Sequence, residues 1–81
     1  MELTVIIINP DRIVFEGTAE YVLAPGVKGN LGIFPTHTSM FAELTKGEIH
    51  VKGATEQSFA LESGIMKVQN EVVTILISAE E

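Results

Sequence analysis

The 81-residue sequence predicts an all-β domain in which two small sheets face each other as a β-sandwich. Turns containing glycine or proline recur along the chain, and the short stretches between them are rich in β-branched and aromatic residues. In several of these stretches apolar and polar residues alternate, as in a strand with one buried face. No stretch repeats apolar residues at helical spacing over three turns. Because the sequence has no linker or internal repeat, residues 1–81 are expected to form one domain.

The first predicted strand, residues 3–8, and the last, residues 72–77, carry apolar side chains on both faces near their ends. Strands of this kind lie in the middle of a packed sheet or beneath a binding partner. Left exposed, they would promote aggregation. We therefore expect both strands to be covered in the folded protein.

Residues 12–23 predict a long strand with one buried face, because apolar residues fall at alternate positions and mostly polar residues lie between them. The predicted inward residues are Ile13, Phe15, Ala19, Tyr21 and Leu23. Gly17 interrupts the pattern, which indicates a β-bulge or a bend at that position.

The three glycines within residues 25–32 indicate tight turns. A phosphate-binding loop is excluded, because that motif ends in Gly-Lys-Ser/Thr and opens a helix, whereas these glycines lead into an apolar strand at residues 31–34. Glycine's tolerance of positive φ accounts for them instead. Residues 36–44 then predict an irregular approach to a short strand.

Two later stretches predict half-buried strands. Ile49 and Val51 alternate with polar residues in the first, and Phe59 and Leu61 do so in the second. His50 therefore falls on the outward face of its strand, where we expect a solvated side chain.

Composition excludes several classes of protein. The net charge of −6 argues against binding to nucleic acid or to a bare anionic membrane, because both require Lys and Arg. The absence of cysteine excludes disulfides and thiolate metal sites, and two histidines with scattered carboxylates give no metal-ligand spacing. The longest purely apolar run, residues 5–8, is far shorter than the ~20 residues of a spanning helix. The sequence thus predicts no metal, no cofactor and no membrane insertion.

A small hydrolytic site built from His37, Ser39 and Glu43 is one hypothesis for function. Nucleophilic catalysis needs a base within hydrogen-bond reach of the nucleophile and a third group that orients the base. The sequence supplies no convincing third group, so the favoured interpretation is that His37 fixes its own loop by hydrogen bonds. Another hypothesis is a binding module for peptide or carbohydrate, but such modules generally present aromatic platforms and this chain has no tryptophan.

Several short motifs follow one another along the chain. They are Asn9-Pro10, Val14-Phe15-Glu16-Gly17, Tyr21-Val22-Leu23-Ala24-Pro25-Gly26, Gly29-Asn30-Leu31-Gly32-Ile33-Phe34-Pro35-Thr36-His37, Leu44-Thr45-Lys46-Gly47, Ser63-Gly64-Ile65-Met66-Lys67-Val68 and Val72-Val73-Thr74-Ile75-Leu76. From about Leu3 onward the chain resembles the N-terminal domain of the ATP synthase epsilon subunit, which is called delta in mitochondria. The most specific part of the resemblance lies between Pro25 and His37.

The resemblance implies a sandwich of about ten strands and a protein without an active site of its own. Such a subunit belongs to the central stalk, the rotor of the F-type ATP synthase, where it attaches the gamma subunit to the c-ring and couples proton translocation to ATP synthesis. The sequence, which ends at Glu81, lacks the C-terminal helical hairpin that is usual in the family and carries regulation. Provided that Glu81 is the natural C-terminus, we expect coupling without inhibition of hydrolysis. The expected location is peripheral, on the cytoplasmic side of the bacterial inner membrane and reached through other subunits.

The resemblance also implies a surface that contacts partners. The residues expected at the c-ring or gamma interface are Lys28, Asn30, Leu31, Phe34, His37 and Met40. The turn at residues 28–31 is expected to face the polar loops of the c-ring. Asn30 replaces an acidic residue common in the family, but an exposed ion pair contributes only about 0–1 kcal/mol, so a hydrogen-bonding amide can serve there.

Overall fold

The computed structural model describes residues 2–35 and 39–78, and nine strands account for most of them. The strands are β1 (Leu3–Asn9), β2 (Arg12–Ala19), β3 (Tyr21–Gly26), β4 (Gly29–Ile33), β5 (Met40–Leu44), β6 (Gly47–Lys52), β7 (Glu56–Leu61), β8 (Ser63–Gln69) and β9 (Val72–Ser78). Within the described ranges no residue is helical, which confirms the all-β prediction. These ranges accordingly contain no helix with the length and apolar character needed to cross a membrane.

The strands form one curled sheet whose two halves face each other as the layers of a sandwich. The first layer runs β2-β1-β9-β8-β5, and the second runs β4-β3-β6-β7. All neighbouring strands are antiparallel except β1 and β9, which are parallel. The layers join where Gly26 of β3 pairs with Leu44 of β5. The predicted sandwich is therefore confirmed, with nine strands in the described residues where about ten were expected.

One apolar core lies between the layers. Alternate residues of the central strands point into it, which is the period of two that a strand imposes. Its largest fully buried side chains are Leu3, Ile7, Ile33, Ile49, Met66, Ile75, Val5, Val22, Val68 and Val73. Because both layers contribute to this cluster, removing it from water holds the layers together.

The two strands with apolar residues on both faces lie in the middle of the first layer, as predicted. β1 lies between β2 and β9, and β9 lies between β1 and β8. In β1, Val5 and Ile7 are fully buried on the inner face, while Ile6 and Ile8 on the outer face are half-buried. Its central place in the layer thus explains the apolar pattern of β1 without any partner.

The single alternation predicted for residues 12–23 is wrong. The chain bends at Glu20, between β2 and β3. Beyond the bend Val22 is fully buried, whereas Tyr21 and Leu23 are only half-buried. The physical reason is that β2 belongs to the first layer and β3 to the second, so the side of the chain that faces the core changes at the bend.

The β-bulge expected at Gly17 lies elsewhere. Strand β1 pairs Ile7 with Phe15 but pairs its next residue with Ile13, which leaves Val14 as the extra residue of a bulge. Ile13, predicted to point inward, is consequently 57% exposed. Gly17 sits in a regular part of the ladder and leaves room for an aromatic ring, since a Cβ there would lie 3.1 Å from Cζ of Phe15.

The strands predicted around Ile49 and Phe59 are confirmed as β6 and β7. Ile49 and Leu61 are buried, and Phe59 is half-buried against the core. His50 lies on the outward face as expected, with 31% of its side chain exposed. Of the irregular approach predicted for residues 36–44, β5 begins at Met40, and residues 36–38 lie outside the described ranges.

Candidate partner interface

The β3–β4 hairpin carries much of the surface predicted to contact a partner. Gly26 pairs with Gly29 at its end, which leaves Val27 and Lys28 as a two-residue tip. Gly29 has a φ of 132°, in the region that glycine adopts without steric penalty, so this turn requires the glycine. The backbone N–H of Val27 donates to the carbonyl oxygen of Glu43 at 3.0 Å, which ties the tip to β5.

The predicted ring-facing residues differ in exposure. Lys28 and Asn30 are exposed, whereas Leu31 is half-buried and packs against the core. Leu31 therefore anchors the hairpin while its neighbours present polar groups to solvent. A rigid turn with exposed amide and ammonium donors can hydrogen-bond to polar loops of another protein.

A cleft of about 400 Å³ separates the hairpin from β5. Its lining residues are Gly26, Val27, Lys28, Gly29, Leu31, Met40, Phe41, Ala42 and Glu43. Three of the predicted partner residues therefore meet in one place, namely Lys28, Leu31 and Met40. The cleft is mainly apolar, with the ammonium group of Lys28 and the carboxylate of Glu43 as its charged groups.

Asn30 and Phe34 do not line this cleft. Phe34 follows β4, is 55% exposed and lies against Tyr21, with ring centroids 4.6 Å apart and an interplanar angle of 37°. Gly32 provides the space for this pair, because a Cβ there would lie only 2.9 Å from Oη of Tyr21. The predicted partner residues thus divide into a cleft group and an aromatic pair.

Sequence reasoning missed Phe41 and Val27, two of the most exposed large apolar side chains in the described ranges, at 69% and 58%. Phe41 could have been found, because it lies two residues before Glu43 on the same strand and so shares that residue's outward face. Val27 carries no such signal, since only the hairpin pairing identifies it as a tip residue.

The hydrolytic hypothesis rests on His37, which lies outside the described residues. Ser39 and Glu43 are both exposed, and Glu43 contributes to the cleft wall. In the described part of the chain, no three His, Asp or Glu side chains are grouped so that they could hold a metal ion.

A second apolar surface crosses the outer face of the first layer. We call it the outer apolar row, formed by Ile13, Ile8, Leu76 and Ile65, which are cross-strand neighbours on β2, β1, β9 and β8. Leu76 is 49% exposed and Ile65 39% exposed. Glu43 of β5 pairs with Ile65, so the row ends beside the strand that lines the cleft. Apolar surface therefore remains open on more than one side of this small domain.

Comparison with protein families gives one match across almost the whole chain. Residues 2–81 match the family described as the β-sandwich domain of the ATP synthase delta/epsilon chain. The matched segment includes every strand of both layers.

Individual relatives agree with this match. The chain is 38% identical over 82 aligned positions to an ATP synthase epsilon chain of Synechococcus sp. (strain CC9311), which covers all of this chain and 61% of that one. It is 35% identical to the epsilon chain of Brevibacillus brevis, covering 99% of this chain and 62% of the relative. The epsilon chain of Prochlorococcus marinus (strain MIT 9211) is 39% identical, again with 61% of its length covered. The chain thus spans about three-fifths of the length of these relatives.

Two solved structures share the fold. A chain in the mitochondrial ATP synthase of Euglena gracilis, determined as an OSCP/F1/c-ring assembly, superposes with a TM-score of 0.87 at 15% identity, over 94% of this chain and 50% of that one. A chain in the central stalk and c-ring of the Tetrahymena thermophila enzyme gives 0.80 at 14% identity, over 95% and 63%. At such identities the likeness concerns the fold alone.

Proposed function

Because this chain belongs to the ATP synthase delta/epsilon family through its β-sandwich domain, we propose that it is a non-catalytic subunit of the central stalk of an F-type ATP synthase. In this role it attaches the gamma subunit to the c-ring and couples proton translocation to ATP synthesis. The observation that carries the proposal is the family match over residues 2–81. Chains in an OSCP/F1/c-ring assembly and in a central stalk and c-ring assembly share this fold, which supports the same role.

The physical task of such a subunit is to transmit torque without deforming. A close-packed core with low compressibility suits that task. In the described residues the core is continuous between the layers, and every buried side-chain nitrogen and oxygen has a hydrogen-bond partner. Both features favour a stiff connecting element.

The hairpin tip and the cleft form the proposed contact with the c-ring. Lys28 and Asn30 supply exposed polar groups, and Leu31 and Met40 supply an apolar floor. Phe41 adds the large exposed apolar surface that often anchors an interface. A polar loop with one apolar side chain would find complementary groups on this surface.

The remaining predicted residues, Phe34 and His37, are proposed to lie near gamma or the ring. The exposed ring of Phe34, held against Tyr21, is a preformed apolar contact. The protein would then reside at the cytoplasmic side of a bacterial inner membrane, peripheral and held there by other subunits.

Cysteine cross-linking tests the proposed orientation, and the absence of native cysteine makes single variants selective. Asn30→Cys is placed on the hairpin, and Glu56→Cys serves as the matched exposed control. The register Tyr21–Lys52–Glu56 puts the control at the opposite end of β3 from the tip. In an assembled ATP synthase, we expect position 30 to capture the c subunit and position 56 to capture little. Equal capture from both positions would show that the hairpin does not face the ring.

Retention of the gamma subunit and the c-ring by the tagged chain distinguishes a wrong orientation of the hairpin from failure of the whole proposal. If tagged chain retains gamma and c-ring stoichiometrically while position 30 does not cross-link preferentially, the role stands and the orientation is wrong. If neither partner is retained, the role itself is wrong.

A further inference from the structure

Three polar side chains line up on the outward face of the second layer. Antiparallel pairing places His50 of β6 directly opposite Ser58 of β7, and Glu48 lies two residues earlier on β6 and so shares that face. Oγ of Ser58 is 3.0 Å from Nδ1 of His50, and Nε2 of His50 is 3.7 Å from Oε1 of Glu48. The imidazole is therefore positioned between a hydroxyl and a carboxylate.

This arrangement gives the serine hydroxyl a base and gives the base an orienting group. The Glu48 carboxylate favours the tautomer with its proton on Nε2, which leaves the lone pair of Nδ1 to accept the Ser58 hydroxyl hydrogen. Nucleophile, base and orienting group are the three parts that an activated serine requires. The His37 hypothesis lacked the third of these parts.

We propose that Ser58 is a site of covalent modification by activated esters and related phosphoryl electrophiles. Oγ of Ser58 attacks the electrophilic carbon or phosphorus and forms a new bond to it. The hydroxyl proton passes to Nδ1 of His50, and the bond to the leaving group breaks so that the group departs with its electron pair. The imidazolium then releases its proton to the leaving group or to water, so no oxidant or metal is needed.

The surroundings limit this chemistry to a single modification. The face is open, with the side chain of His50 31% exposed and that of Glu48 60% exposed. The neighbouring groups on this face are Leu23, which pairs with His50, Tyr21, which pairs with Lys52, Ala60, which pairs with Glu48, and the Lys52–Glu56 ion pair at 3.8 Å. None of these supplies an oxyanion-binding donor pair, so we expect faster labelling but not the turnover of a hydrolase.

Labelling of the full chain with a fluorophosphonate, followed by peptide mass spectrometry, tests the proposal. The probe forms a phosphorus–oxygen bond and releases fluoride, so the adduct is stable. We expect Ser58 to be labelled about tenfold faster than Ser63, an exposed serine on β8, since an open site gains less than the usual general-base factor of about 10²–10⁴. His50→Gln is expected to reduce labelling of Ser58 to the rate of Ser63, while Ser63→Ala leaves it unchanged.

Glu48→Gln tests the role of the carboxylate as a positioning group. We expect about a twofold slower reaction at low salt, with the difference from wild type disappearing near 1 M salt, where an exposed charge pair is screened. Urea midpoints of all variants establish that β6 and β7 remain folded. Equal labelling of Ser58 and Ser63 in the wild type, or unchanged labelling in His50→Gln, would overturn the proposal.

Discussion

At the scale of the residue, Asn9 is the one polar side chain that the described residues bury, at 7% exposure. Its Oδ1 accepts hydrogen bonds from the backbone N–H groups of Asp11 at 2.9 Å and Arg12 at 3.0 Å. These contacts close the turn between β1 and β2. Asparagine commonly mimics a backbone turn in this way.

Replacing this asparagine by alanine leaves two backbone donors without their acceptor. Because Asp11 and Arg12 are exposed and water can reach the turn, we expect Asn9→Ala to lower the free energy of unfolding by about 1 kcal/mol, near the lower limit for a lost partner. The exposed Asn30→Ala is the control and is expected to change it by less than about 0.5 kcal/mol. Urea denaturation measures both, and equal losses would assign no special role to Asn9.

Gly64 is a steric requirement of the β8–β9 ladder. A Cβ at this position would lie 2.7 Å from the backbone oxygen of Leu76, which the ladder holds in place. We therefore expect Gly64→Ala to destabilise the fold by about 1–3 kcal/mol, the usual range for overpacking. Gly53→Ala is the matched control, since its nearest contact would be an ordinary 3.4 Å. Urea denaturation measures both variants, and a urea midpoint for Gly64→Ala as high as that of Gly53→Ala would contradict this account.

At the scale of the element, adjacent residues of β9 lie on opposite faces of the first layer. Ile75 is fully buried in the core, and Leu76 is 49% exposed in the outer apolar row. The strand therefore carries both core packing and free apolar surface, which explains why its sequence is apolar at consecutive positions.

Alanine substitutions on β9 should have unequal effects for this reason. Ile75→Ala creates a cavity, and we expect it to cost about 2–5 kcal/mol. That loss is comparable with the whole stability of a small domain, about 3–5 kcal/mol, so the variant is expected to be partly unfolded at 25 °C. Leu76→Ala removes surface that is half in water, and the expected loss is below about 1 kcal/mol. Circular dichroism during thermal unfolding distinguishes the two, and a larger effect of Leu76→Ala would reverse the assignment of the faces.

At the scale of the whole molecule, the sequence predicted what depends on local pattern. The period of two identified β6 and β7, and the doubly apolar pattern predicted the central place of β1 and β9. The change of face at Glu20 could not be predicted this way, because it depends on a distant hydrogen bond from its N–H to the carbonyl of Lys52. The bulge at Val14 likewise depends on how β1 pairs with β2.

The candidate interface was predictable only in part. The resemblance assigned Lys28, Leu31 and Met40, which meet at the cleft. The cleft lies beside residues 40–43, because the register of β5 with β3 consists of the single pair Gly26 and Leu44. No local pattern encodes that limited pairing. Residues such as Val27 therefore became candidates only from the arrangement of the layers.

The parallel pairing of β1 with β9 has a consequence for synthesis of the protein. Strand β1 acquires its second neighbour only after β9 has left the ribosome. Until then the nascent chain holds a central strand, apolar on both faces, with one open edge. Such high contact order slows folding and prolongs exposure to aggregation, so cotranslational protection by a chaperone would matter most for the segment that contains β1.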